Sequence, residues 1–207
     1  VKNTEKILHT ARHLFNERGL VYVRLQHISD DATIPVDDPA FPYQNKGAII
    51  EAIFAQWEAQ LKGLMIKYQQ IPTLENIDRI FTGIESIQED YSFFFTDMVE
   101  IKRAFPGIFE QIQGFLHWQV LQFEEILRFN VSRAALIELD KNDISFLATL
   151  LLEHMNTWSS RSLMWNKVGR APSEKNLSNF CWTLLVPYMT SLGLEELEVI
   201  LQEKIRL

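Results

Sequence analysis

A chain of 207 residues, 47% of them apolar, is long enough to bury a sizeable core, as one domain or as a small domain joined to a larger one. A net charge of −7 argues against general polyanion binding and makes local charge the quantity to follow, while a lone cysteine, Cys181, excludes an internal disulfide framework. No run of about 18 apolar residues is present to span a bilayer, and the polar residues 1–6 lead into no signal-type core, so a cytoplasmic protein is expected.

The first predicted element is a helix over residues 4–18, where Ile7, Leu8, Ala11, Leu14 and Phe15 recur at helical spacing and Gly19 follows as a stop. A short helix over 25–31 and a turn at Thr33-Ile34-Pro35 come next. A long helix then opens near Lys46, carrying Ile49, Ile50, Ile53, Phe54, Trp57, Leu61, Leu64, Met65 and Tyr68, with Pro72 beyond it. Further helices are predicted at 74–89, 108–128, 144–167, 177–192 and 195–205, with a short one around 93–104. Asn142 or Asp143 is expected to cap the 144 helix, and Gly193 to end the penultimate one. No strand alternation competes, so the fold class is all-α. The short helices before Lys46 contrast with the long, Phe- and Trp-rich helices after it, which divides the chain at 1–46 and 47–207, and the first part has the layout of a helix-turn-helix.

Three stretches, ILHTARHLFNERGL, LQHISDDATI and YQNKGAIIEAIF, resemble the N-terminal module of the TetR (tetracycline-repressor-like) bacterial transcriptional regulators, without gaps from Ile7 to about Phe54. Leu14, Phe15, Gly19, Ile28, Ala32, Ile34, Tyr43 and Lys46 stand in register with the family pattern. The resemblance implies a three-helix DNA-binding head followed by a helical-bundle body that binds a ligand and pairs with a second copy.

The resemblance also places a recognition helix over Val36, Asp37, Asp38, Pro39, Ala40, Phe41 and Pro42, where the local chemistry opposes one. A helix begun at Val36 loses backbone donors at Pro39 and Pro42, at about 3 kcal/mol for each interior proline. With Asp38 as N-cap and Pro39 in the first helical position the start is good, yet Pro42 then allows little more than one turn. From Arg24 to Lys46 there are two basic and four acidic residues, a net of −2 that repels phosphate. Arg24, Gln26 and Lys46 remain as candidate DNA contacts. A short or distorted reading element and weakened binding to operator DNA are therefore expected.

Other constellations carry less. His9 and His13 lie four apart on the first helix but lack a third ligand, so no metal is expected. Cys181, in an apolar stretch, reads as a buried thiol. With no phosphate-binding glycine loop, paired-cysteine zinc pattern or nucleophile elbow, neither an enzyme nor a cofactor is expected. The later helices are rich in aromatic residues, which serve either as core or as walls of a ligand cavity. Phe94, Phe115, Trp118, His154 and Trp158 are the candidates for a small apolar ligand with one polar end, His154 and Trp158 because Glu153, Asn156 and Arg161 accompany them. The family pairs its last two long helices with a twofold-related copy. Here Leu147, Leu150, Leu151, Met155, Trp158, Trp182, Leu185 and Met189 exceed the needs of one buried stripe, so a homodimer is expected. The function read from the sequence is a ligand-responsive, TetR-like regulator of the repressor kind with atypical DNA contacts. The alternative is a ligand- or protein-binding module on the same fold that no longer reads DNA.

Overall fold

The structure, a computed structural model, describes residues 2–158, 160 and 176–206, and all its regular elements are helical. In chain order they are α1 (Lys2–Arg18), a 3-10 turn (Leu20–Tyr22), α2 (Leu25–Ala32), α3 (Lys46–Gln69), α4 (Leu74–Asp90), α5 (Phe93–Thr96), α6 (Met98–Ala104), α7 (Pro106–Ser132), α8 (Lys141–Asn156), α9 (Leu177–Leu185), a second 3-10 turn (Val186–Tyr188) and α10 (Ser191–Arg206). Among the described residues the only extended pairing is a single bridge between Leu136 and Met189. No helix among them is long and apolar enough to cross a membrane. The chain forms two compact units, residues 1–60 with 87–114, and 61–86 with 115–207.

In the first unit, α1 buries the stripe Ile7, Leu8, Ala11, Leu14 and Phe15. Phe15 meets Phe93 at 5.2 Å between ring centres, and Trp57 stacks on Phe94 at 5.1 Å, so the Phe-rich middle of the sequence is core here. Asn16 fastens α1 to the end of α4: its amide donates to the Asp90 carbonyl (2.8 Å) and its oxygen accepts from the Phe93 amide (3.0 Å). The predicted short helix over 93–104 is two helices that meet at Asp97. The Asp97 carboxylate accepts from the Leu20 amide (2.5 Å) and so satisfies the turn that follows Gly19. Gly19 itself has φ 79, a left-handed value that a side chain would oppose.

In the second unit, α4 packs Phe81 against both Phe123 and Trp182. The cap of α8 is Asp140, not Asn142 or Asp143; its carboxylate accepts from both of their amides (2.7 and 2.9 Å). Helix α8 ends at Asn156 with Thr157 as its C-cap, and of the rest of the predicted 144–167 helix residues 159 and 161–167, among them Arg161 and Trp165, lie outside the described residues. The predicted 177–192 helix stops at Leu185, because Pro187 cannot donate to the helix and the chain tightens into a 3-10 turn. Gly193 does not end a helix but lies inside α10, where a Cβ would collide with the Ala135 carbonyl oxygen. Its role is close approach.

Candidate functional site

The head is built around the end of α2. Thr33 takes a left-handed conformation (φ 55), its amide bonds to the Asp30 carbonyl, and the Ile34 amide bonds to the Ser29 carbonyl. This is a Schellman closure, with buried Ile34 as its apolar plug and Pro35 preventing continuation. Ser29 reinforces it by donating to the Ile34 carbonyl (2.8 Å).

From Thr33 to Asn45 there is no helix. The Asp38 amide bonds back to the Pro35 carbonyl (3.0 Å) and the Phe41 amide to the Asp38 carbonyl (2.8 Å), which makes two consecutive turns. The Asp38 carboxylate caps the second by accepting from the Ala40 amide (2.7 Å). Asp38 therefore does start a turn, and with Pro42 following, that turn does not propagate. Phe41 is buried and meets Tyr43 edge-on, which anchors the loop; Val36, Asp37, Pro39, Ala40 and Pro42 are half-buried or exposed. Asn45 then caps α3 by accepting from the Ala48 amide (2.9 Å).

The three candidate DNA contacts have different fates. Arg24 is exposed at the start of α2, with its backbone amide on the His27 ring (3.2 Å). Gln26 is exposed and donates to Asp30 (2.7 Å). Lys46 turns inward: its ammonium donates to the carbonyls of Leu20 (2.9 Å) and Val23 (3.0 Å) and lies 5.9 Å from the centre of the Phe105 ring. Burial lowers its pKa from the ordinary lysine value. Two of its three donors are spent on the protein, an arrangement sequence spacing does not reveal. Beside these residues lies a surface depression of about 670 Å³ lined by Gln26, Ser29, Asp30, Thr33, Ile34, Pro35, Val36 and Asp37, two of them carboxylates. Tyr22, 76% exposed, and Val21 stand on the turn before α2.

The five ligand-pocket candidates fall in separate places. Phe94 is buried in the first unit against Trp57 and Phe54. In the second unit Phe115 stacks on Trp118, and the Lys62 ammonium lies 5.9 and 5.5 Å from the two ring centres. His154 stacks on Phe180, its Nε2 lies 3.0 Å from the Phe180 carbonyl oxygen, and Trp158 meets the same ring at 5.4 Å. The structure thus joins His154 to Trp158 and Phe115 to Trp118. Of the apolar residues expected to offer a second packed face, Leu147, Leu151, Met155, Trp182, Leu185 and Met189 are buried within the single chain. Apolar side chains left exposed in the same unit include Phe146, Val186, Leu192 and Leu194.

Sequence reasoning missed a polar cluster in the second unit. Buried Asp78 accepts from Ser178 Oγ (2.5 Å), Trp182 Nε1 (2.9 Å) and Lys204 Nζ (2.6 Å), tying α4, α9 and α10 together. The signal was present: Asp78 interrupts the apolar stripe Leu74, Ile77, Phe81. Cys181 is fully buried, and burial, followed by the charge of Glu85, pushes its thiol pKa far up. His9 and His13 are exposed, with His13 beside Glu17 at 3.3 Å. Among the described residues no group of three or more His, Cys, Asp or Glu is placed to hold a metal.

No protein-family model matches the chain, and no curated protein does. Solved structures do. A TetR-family transcriptional regulator from Marinobacter aquaeolei VT8 superposes with a TM-score of 0.83 at 19% identity, covering 98% of each chain. A gamma-butyrolactone receptor (ArpA-like protein) matches at 0.62 and 16% identity over 90% of this chain and 98% of its own. SmeT, the repressor of the Stenotrophomonas maltophilia multidrug efflux pump SmeDEF, matches at 0.63 and 16% identity over 91% of both. The chain therefore has the fold of the TetR-family transcriptional regulators, from the head through the last helix.

Proposed function

We propose that the protein is a ligand-responsive transcriptional regulator of the TetR type, homodimeric and cytoplasmic, whose contacts with operator DNA are atypical and weak. The observation that carries the reading is a regulator fold over nearly the whole chain in which residues 33–45 are turns where the resemblance places a recognition helix. Proteins of this fold include, by their descriptions, a gamma-butyrolactone receptor and an efflux-pump repressor, which supports a small-molecule input to residues 47–207 and a DNA output from residues 1–46. In a working pair, ligand binding alters the separation of two heads and so their fit to half-sites about one helical turn apart. With Lys46 held inward, Arg24 and Gln26 are the side chains of the original set still facing solvent, and two contacts on each head make a small footprint.

A second reading, a binding module on this fold that no longer reads DNA, is favoured by the depression at the end of α2, with Asp30 and Asp37 in its lining. One titration separates the two: purified protein against its own upstream DNA, with random duplex as competitor, at about 50 and 200 mM salt. Specific binding with a shallow salt slope supports the regulator; no binding at the lower salt by folded dimer supports the module. Light scattering at micromolar concentration tests the pairing. Phe146, 63% exposed on α8, is the position whose change to Glu should yield monomer.

A further inference from the structure

We propose that Gln119 is the polar anchor of a ligand site in the second unit, and that its ligand is a neutral, apolar molecule with a carbonyl oxygen, such as a ketone, ester or lactone. This rests on the ligand-responsive reading and gives its input a residue and a chemical class. On α7, Phe115, Gln119, Phe123 and Ile126 succeed one another at spacings of four, four and three, so they share one face of the helix, and all four are buried. Gln119 is 4% exposed, and its Nε2 meets no acceptor among the described residues. A leucine at this position would complete the apolar stripe, whereas an unpaired amide is costly to keep.

Most other buried polar groups of the same unit are engaged, the side-chain oxygen of Asn179 being a second exception. Asp78 accepts three hydrogen bonds, and Asn130 donates to the carbonyls of Pro72 and Ile126 while accepting from Arg133. Gln119 differs from these, and its neighbours on the stripe suit an apolar guest: Phe115 is stacked on Trp118, and Phe123 on Phe81. Few polar groups among many aromatic ones is the usual makeup of a small-molecule site. The chemistry of the amide sets the class of guest. Nε2 donates without carrying charge, so it satisfies a carbonyl oxygen, while a carboxylate brought onto it would have to draw the Lys62 ammonium away from the Phe115 and Trp118 rings to offset its desolvation.

The test uses the purified full chain with three probes of one length: 2-undecanone, undecanoate and 1-undecene. Binding is followed by tryptophan fluorescence, and the carbonyl of the bound ketone by infrared spectroscopy. Saturable binding of the ketone is expected, with its carbonyl band moved to lower frequency and with 1-undecene about five- to tenfold weaker. Gln119→Leu should weaken the ketone by the same factor, return the band to its position in hydrocarbon, leave 1-undecene unchanged and melt at an equal or higher temperature. Equal ketone affinity in the variant and the original protein, or tighter binding of undecanoate than of the ketone, would overturn the assignment and leave ligand binding standing. No saturable binding of any probe to folded protein would overturn the assignment together with the reading it rests on.

Discussion

At the end of α2 and in the turns that follow it, the aspartates at 30, 31, 37 and 38 all lie exposed, and most bonds of the segment join residues two to five apart, with Lys6 on Thr33 and Arg18 beside Asp31 as exposed longer-range ties. At the junction of α4, α9 and α10, one aspartate, Asp78, is buried and draws its donors from residues 100 to 126 positions away. The same side chain thus serves two ends. Where water screens it, carboxylate sets the surface potential and decides which partner approaches; where water is excluded, it must be neutralised and becomes a point on which three helices depend. The head can therefore change its charge with little consequence for folding, while the cluster around Asp78 cannot.

This contrast can be broken most readily at Asp78. Asp78→Ala leaves the Ser178 hydroxyl and the Trp182 indole N–H without their acceptor and the Lys204 ammonium with only Ser178 Oγ, and should cost about 3 kcal/mol in urea unfolding. Asp38→Ala, which removes one exposed turn acceptor, should cost less than about 1 kcal/mol. Similar costs for the two would end the comparison. Next in size, Gly193→Ala drives a methyl group into the Ala135 carbonyl and should cost about 2 kcal/mol, read as a fall in melting temperature. In the head, the double change Asp37→Lys and Asp38→Lys should leave the melting temperature within a degree or two. It should make random-duplex binding measurable at about 50 mM salt, with a log–log salt slope steeper by about 2; an unchanged slope would show that these positions do not face the duplex.

The smallest effect concerns pH. The Ser145 hydroxyl, and then Arg128 (2.6 Å), hold the Glu124 carboxyl below its ordinary value of 4.5. Its stabilisation is therefore complete above that value and is lost as pH falls below it. Glu124→Gln should flatten the decline in stability between about pH 5 and pH 3 relative to the original protein. A parallel decline in the two would mean that this pair contributes nothing.

How much was legible follows from the range of the interactions involved. Helical spacing in α1, α3, α4 and α7 is a local property of the chain, and those elements lie within a few residues of their predicted positions. The absence of a helix over 33–45 was likewise foreshadowed by Pro39, Pro42 and Asp38, whose effects act on their own turn. Helix ends depending on distant atoms are not legible: Gly193 has the local pattern of a stop although the Ala135 carbonyl against it sets its role, and residues 186–192 have the pattern of a helix because their apolar residues run past Pro187.

At the candidate sites the division is the same. The sequence alone determined an all-helical class, a short or distorted element at 36–42, and an acidic charge around it, since propensity and charge belong to residues wherever they are placed. Only the tertiary structure decided that Lys46 faces inward, that Asp78 gathers three donors and that Gln119 keeps an unpaired amide inside an apolar stripe. Hydrogen-bond satisfaction is a property of pairs of groups, and these pairs meet only when the helices have packed.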